Sequence, residues 1–281
     1  MTLSTEIGPG QEGLDFCGLR VLELRPGGSY AFDTGEDEVI VLPLAGGCTV
    51  ACGHERFELE GRDDVFSRVT DFAYVPIEER VEISSDAGGR FALPASRARK
   101  RAAGPTYVAA QDVAVELRGA GRASRQVNNF CAPEAFAADR LIAVEVLTPG
   151  GNWSSYPPHK HDEEIEGEEV ALEEIYYFEV GEGPDGPGFG YQRVYGSGPG
   201  REIDVCQEVR TGDVVLVPHG YHGPSMAPPG YPLYYLNVMA GPGEERAWRF
   251  RDDPKHAWQR ATWADQEIDP RLPLTTARRT P

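Results

Sequence analysis

The stretch Tyr156-Pro-Pro-His-Lys-His161, with Leu172-Glu-Glu-Ile-Tyr-Tyr-Phe-Glu-Val180 after it and Val217-Pro-His-Gly-Tyr-His222 beyond, decides how this chain is read. Side chains alternate along a β-strand, so His159 and His161 share one face and can offer two imidazoles to a single metal ion. A neighbouring strand from the second stretch offers a carboxylate, either Glu173 or Glu174. His222, entering a strand after a Pro-His-Gly turn, offers the next ligand. If Glu174 faces inward, so do Tyr176 and Phe178, while Glu173 and Tyr177 face out. Lys160, between the two histidines, then points away from the metal. Three imidazoles and a carboxylate without thiolate accept zinc, manganese, iron, cobalt or nickel. One divalent ion of this group is the expected cofactor.

Composition narrows the rest. The 281 residues are enough for one large or two small domains with a proper core. A formal charge of −18 argues against nucleic acid and anionic membrane surfaces as partners, since both need clustered Lys and Arg. An anionic substrate would need a local cationic pocket, or the metal, to override that field. The 5 Cys contain no C-x-x-C pair, so a structural zinc site is not expected. The first residues lack a basic segment leading into an apolar run, and no apolar stretch reaches membrane-spanning length. A reduced, cytoplasmic protein is the expectation.

The 33 Gly and 23 Pro punctuate short runs of Val, Ile, Tyr and Phe, the mark of an all-β chain joined by turns. Strands are expected from Leu19 to Leu24, Ser29 to Phe32, Glu38 to Leu44, Cys48 to Cys52, His54 to Leu59, Phe72 to Val75, Val81 to Ser84, Tyr107 to Leu117 and Leu141 to Leu147, with one more at Arg246 to Phe250. Pro133 to Arg140 and Ala261 to Asp269 read as short helices or turns. The basic stretch Ala92 to Arg125 reads as a solvated linker. An internal repeat sets Glu38-Val-Ile-Val-Leu against Glu174-Ile-Tyr-Tyr-Phe, and Thr70 to Pro76 against Thr211 to Pro218. The first copy lacks the His-x-His pair, and its sole histidine, His54, reads as a surface residue. The expected organisation is a metal-free barrel over residues 1–125, a metal-binding barrel over 126–265 and a loose tail over 266–281.

The wider frame, Gly151 ahead of His159, Gly181 after Glu174 and Gly212 ahead of Pro218, resembles the paired motifs of the cupin superfamily. The spacing usual in cupins would select Glu166 as the carboxylate. Glu174 is preferred because a strand and Gly181 follow it, with Asp162 to Leu172 as an inserted acidic loop. Met226 stands where cupins carry Asn. Taken with Gly190-Tyr-Gln-Arg-Val-Tyr195, Tyr234-Tyr-Leu-Asn-Val-Met-Ala-Gly-Pro-Gly243 and Arg246-Ala-Trp-Arg-Phe250, these segments are similar to the 5-deoxy-glucuronate isomerase family of inositol catabolism, densely from Asn128 to Trp258.

That resemblance implies a bicupin: two antiparallel jelly-roll barrels with few short helices, and His159, His161, Glu174 and His222 as the metal ligands. It also implies an aldose–ketose isomerase converting 5-deoxy-D-glucuronate to 5-dehydro-2-deoxy-D-gluconate. A hydrogen must move between adjacent carbons, and a divalent ion on the carbonyl and neighbouring hydroxyl acidifies the intervening C–H. Tyr176 is the expected catalytic side chain, orienting a hydroxyl or relaying a proton. Arg193 is the expected carboxylate clamp, since a guanidinium matches it at two points. Gln192 faces oppositely on the same strand, and Tyr221 flanks the last ligand; both complete the expected substrate set. The partner is a small sugar acid, and a homo-oligomer is compatible with the sequence. The alternatives are the related uronate ketol-isomerase of pectin degradation, a cupin oxygenase, which oxygen uptake would reveal, and a non-catalytic sugar-binding cupin.

Overall fold

The computed structural model describes residues 1–278. The last three positions of the expected tail, 279–281, lie outside the described residues. The strands form two antiparallel systems. In the first, the sheet runs Thr2–Ile7, Cys17–Leu24, Gly89–Arg97, Asp37–Cys52, Phe72–Val75, Thr106–Val108. Asp37–Cys52 closes it: its first part pairs with Gly89–Arg97 and Phe72–Val75, its second with Glu55–Arg62 and Arg80–Ser85. The bend sits at Gly46, where φ is 84° and a Cβ would meet the Gly88 carbonyl at 2.7 Å, so only glycine turns the corner.

The second system is a six-stranded sheet in the order Ala114–Arg118, Arg125–Asn129, Ile142–Thr148, Leu233–Ala240, Glu173–Val180, Val214–Val217. A four-stranded sheet joins Trp153–Ser154, Ser225–Met226, Gly190–Tyr195 and Asp204–Val209. The short strand His159–Lys160 pairs with Arg251–Asp252. Among the described residues, helix is confined to Trp258–Ala261 and three 3-10 turns, and no helix is long and apolar enough to cross a membrane. The cysteines at 17, 48, 52, 131 and 206 are all free thiols, four of them buried.

Three expectations are corrected. The stretch read as a linker from Ala92 contains most of Gly89–Arg97, a central strand between Cys17–Leu24 and Asp37–Cys52. Phe91, Leu93 and Ala95 alternate into the first core, but small residues and Pro94 hide the pattern. Proline has no N–H to donate, and the ladder to Asp37–Cys52 skips from Val39↔Ala95 to Leu42↔Ala92 around it. Second, Arg246 to Phe250 is irregular, and pairing begins only at Arg251. Third, the tail is anchored as far as residue 276: Thr275 is buried, Gln126 Nε2 donates to its carbonyl at 3.0 Å, and Val69 N–H donates to the Thr276 carbonyl at 3.0 Å.

Both long strands are apolar on two faces because both faces are covered. Val39 and Val41 fill the first core, while Ile40 and Leu42 turn toward the second system. In Glu173–Val180, Ile175 and Tyr177 answer them, packing with Tyr234 and Leu236 into a core shared by the two halves. Tyr176 and Phe178 point the other way, into the second barrel. This settles the register of the repeat. Val39 sits opposite Val75 as Glu174 sits opposite Val217, so Glu38 corresponds to Glu173 rather than to Glu174. The equivalence extends to contacts. Glu38 accepts the backbone N–H groups of Asp139, Arg140 and Leu141 at 2.9, 2.6 and 2.7 Å, and Glu173 accepts those of Asp15 and Phe16 at 2.8 Å each. Each half lends the other a carboxylate. Where the second barrel carries the inward Glu174, the first carries Val39 in an apolar core.

Candidate metal centre

Alternation places His159 and His161 on one side of their short strand, and the antiparallel bridge His159↔His222 lays the third histidine beside them. One ring nitrogen from each lies within 4.8 Å of the others. The inward face of Glu173–Val180 brings Glu174 Oε2 to 3.0 Å from His161 Nε2 and 2.9 Å from His222 Nε2. All four side chains are buried. The outer ring nitrogens are spoken for: His161 Nδ1 meets the Leu172 carbonyl at 2.9 Å, His222 Nδ1 the Gly220 carbonyl at 2.8 Å and His159 Nδ1 the Pro157 carbonyl at 3.3 Å. A carbonyl only accepts, so Nδ1 carries the hydrogen and Nε2 presents its lone pair to the cluster.

The electrostatics favour the same donor set. Burial, reinforced by the neighbouring His222 and His161, pushes His159 well below its ordinary value and keeps it neutral. Burial also opposes charge on Glu174, but His222 and His161 outweigh it and hold the carboxyl well below its usual range. Burial opposes charge on His161 too, but its hydrogen bond to Glu174 raises it. A divalent cation of the zinc, manganese, iron, cobalt or nickel group would take that proton's place between the carboxylate and imidazoles whose outer nitrogens are held by backbone carbonyls.

Lys160 points away, as its alternation requires. Its Nζ lies 2.7, 2.6 and 2.9 Å from Asp162, Glu163 and Glu169. Those three acids form a second cluster of ligand-type side chains among the described residues, and Lys160 and Arg201, the latter 3.1 Å from Glu163, are its cations. Glu166 is exposed on the loop, away from the histidines. Tyr176 is buried behind the ligands, its ring 6.3 Å from that of His222. Gln192 is fully buried, accepts a hydrogen bond from Ser225 Oγ, and has no partner for its Nε2. Arg193 is not brought to the site: it faces outward, pairs with Asp204 and donates to the carbonyls of Val194 and Val205 at 2.8 and 2.9 Å. Tyr221 also turns from the ligands and packs on Tyr195 at 5.5 Å. His219 reaches only the Glu202 carbonyl, and Asp213 caps the Arg210 N–H at 2.7 Å as a turn acceptor.

Residues that the sequence reading did not single out line a narrow cavity against His159: Arg118, Arg125, Asn237, Trp248, Phe250 and Arg260. Phe250 packs against His159 with ring centres 4.6 Å apart and the rings tilted by 47°. Arg125 ends the basic stretch whose composition suggests a linker. The available signal was Asn237, a lone amide inside Leu233–Ala240, whose eight residues are all buried.

Gly223 holds this wall in place. Its φ is 109°, and a Cβ there would lie 2.2 Å from the Ser155 carbonyl and 2.7 Å from His159 Cε1. Gly223→Ala is expected to displace His159 and weaken binding of a divalent cation about 10-fold or more, with strand content kept. Titration of metal-stripped protein, followed by circular dichroism, checks this; unchanged affinity would refute it.

The family model described as the KduI/IolB family matches residues 2–259. The 5-deoxy-glucuronate isomerase of Geobacillus thermodenitrificans (strain NG80-2) is 43% identical over 256 residues, covering 89% of this chain and 88% of the relative. That of Bacillus subtilis (strain 168) is 40% identical over 256 residues, covering 90% and 91%. The crystal structure of an IolB-like protein from Salmonella typhimurium LT2 superposes with a TM-score of 0.83 at 35% identity, covering 91% of this chain and 94% of that one. Oxalate decarboxylase from Lactobacillus farciminis, in a formate complex, shares only the fold: TM-score 0.62 at 12% identity, covering 89% and 83%.

Proposed function

The chain belongs to the KduI/IolB family, and from that premise we propose that it is the aldose–ketose isomerase that converts 5-deoxy-D-glucuronate to 5-dehydro-2-deoxy-D-gluconate in cytoplasmic inositol catabolism, using one divalent cation held by His159, His161, Glu174 and His222. The observation that carries the metal dependence is the convergence of Glu174 Oε2 on His161 and His222 at 3.0 and 2.9 Å, beside His159. A bound cation supplies Lewis-acid polarisation of the substrate carbonyl and its neighbouring hydroxyl.

The chain's own groups supply orientation and a dry site. Burial, with the Glu174 charge behind it, pushes the Tyr176 phenol well above its ordinary value. Tyr176 therefore keeps its proton and serves as a donor, orienting Glu174 or a substrate hydroxyl. Gln192 shares its face with the core residue Val194, and its free Nε2 is available to a sugar hydroxyl. Phe250, Phe178 and Tyr235 keep water from the ligands' surroundings, and Ser155 and Tyr235, 2.7 Å apart, fix the wall beside His159. Lys160 is no base: burial works against its charge, but hydrogen bonds to Asp162, Glu163 and Glu169 more than compensate and raise it.

Proton NMR of 5-deoxy-glucuronate with the purified protein in heavy water tests the reading. Conversion to the ketone is expected, abolished by a strong chelator and restored by a divalent cation, with deuterium entering at the adjacent carbon if a proton is transferred. No conversion by protein shown to hold metal would overturn the proposal, and turnover of another uronate instead would move it to the related ketol-isomerase.

A further inference from the structure

The cavity against His159 has a charge that the protein itself does not balance. Three guanidiniums line it. Arg118 pairs with Glu116 at 2.8 Å, and Arg260 with Asp252 at 2.7 Å. Arg125, only 7% exposed, has no carboxylate partner among the described residues; the one hydrogen bond of its guanidinium is from Nη1 to the Ala123 carbonyl at 3.2 Å. Three cations against two anions leave one positive charge, in a chain whose overall charge is −18. A desolvated cation is costly unless an anion or acceptors face it.

Two further donors in the same cavity have nothing to bond. Asn237 is 2% exposed and its Nδ2 is unpartnered; Trp248 Nε1 is unpartnered as well. Unsatisfied buried donors are uncommon in folded proteins and call for an explanation. Donors without acceptors, around one surplus charge, describe a site for a monoanion rich in lone pairs, and a carboxylate is the match. Burial pushes the Arg125 guanidinium down to about 10, outweighing its neighbours, yet it stays charged at neutral pH.

We infer that Arg125, with the Asn237 amide beside it, is the subsite that receives the carboxylate of the sugar acid. The substrate carries its carbonyl and its carboxylate at opposite ends. The cavity itself holds only about 20 Å³, but a wider pocket of about 450 Å³ shares Arg118, Arg125, Trp248, Phe250 and Arg260 with it. The acid then lies across the two with the carboxylate on Arg125 and the carbonyl toward His159. This rests on the isomerase reading above, and it moves the clamp from Arg193, which is neutralised by Asp204, to a residue of the second barrel's inner sheet. Aromatic faces hold the arrangement rigid: the Arg260 guanidinium lies 5.3 Å from Phe250 and 5.1 Å from Trp263, and that of Arg125 lies 5.9 Å from Trp263.

Steady-state kinetics on 5-deoxy-glucuronate and on 5-deoxy-glucose, which has a hydroxymethyl in place of the carboxylate, test the assignment. For Arg125→Met, KM for the acid is expected to rise about 10- to 100-fold, with kcat little changed and kcat/KM for the neutral sugar unaltered. Arg125→Lys should recover part of the loss, and Arg193→Met should lose nothing. An unchanged KM for the acid, an equal loss on both sugars, or a loss confined to Arg193→Met would overturn the inference. If Arg125→Met does not fold, Asn237→Ala and Arg125→Lys make the same acid-against-neutral comparison. Should the native enzyme turn over neither sugar, the isomerase reading fails separately. Calorimetric titration of metal-loaded protein with D-glucuronate and D-glucose then decides the subsite: acid-selective binding lost in Arg125→Met sustains it, and equal binding of the two sugars refutes it.

Discussion

Glu174→Gln is expected to lose bound metal and turnover together, each by more than about 100-fold, while Glu166→Gln keeps both. Replacing residues that merely orient metal ligands already costs 10- to 100-fold in affinity, so removing a ligand costs more. The substitution preserves size but swaps the anionic oxygen for a neutral amide. Glu174 Oε2 is the atom that meets both His161 and His222, at 3.0 and 2.9 Å, and a rotated amide would present N–H groups to lone pairs instead. Glu174 also sits in a ladder between Val217 and Met239, and side-chain replacement leaves those backbone bonds intact. Strand content by circular dichroism should therefore persist. Glu166 is exposed in the loop that turns back through the Ile165–Glu169 bridge, so neutralising it removes only a solvated charge. Metal content and turnover of the two variants settle the choice; metal lost from Glu166→Gln and kept by Glu174→Gln would reverse it.

The site was legible where the signal is local. Alternation along one strand is enough to pair His159 with His161, to send Lys160 outward and to group Glu174 with Tyr176 and Phe178. The same rule could not say what covers the other face. Alternation sends Glu173 and Tyr177 away from the second barrel, but what meets them is the first barrel and not solvent: Glu173 caps Asp15 and Phe16, and Tyr177 joins the shared core. A strand with two buried faces looks the same in sequence whichever partner covers it. The repeat was displaced by one residue for a related reason, because Glu38 and Glu174 look alike as letters while only Glu38 and Glu173 do the same job between the halves. Arg193 was attractive because it lies in a strand near the ligands, yet its parity sends it outward. Arg125 was hidden by the arginines near it, which made a buried strand residue resemble part of a solvated linker.

Glu145→Ala is expected to cost about 3–5 kcal/mol of stability, because it strands a guanidinium inside the protein. Arg62 of the first system and Glu145 of the second meet as a two-point pair at 3.0 and 2.7 Å, with both side chains 0% exposed. The pair is fully enclosed: Arg62 Nε also donates to the Pro43 carbonyl at 2.9 Å, and Asn128 donates to Glu145 at 2.7 Å. Removing the carboxylate leaves the Arg62 charge in the shared core with no route to solvent. A fall in melting temperature on the order of 10 °C should follow, with the metal ligands untouched. A loss below about 1 kcal/mol would show that water or a rearranged side chain reaches Arg62. The double replacement Arg62→Met with Glu145→Leu separates two roles of the pair. If desolvation consumes most of its Coulombic gain, the apolar pair will be nearly as stable as the native one, and far more stable than Glu145→Ala. The contribution of the native pair would then be to fix how the halves dock, since a two-point contact has one geometry and an apolar contact has many. Docking carries the catalytic barrel's register through Glu145, on the strand beside the one that holds Asn237. A stable double variant with weakened selection of the acid over the neutral sugar would place the ion pair's value in that alignment; one with native selectivity would leave it to the shared apolar core.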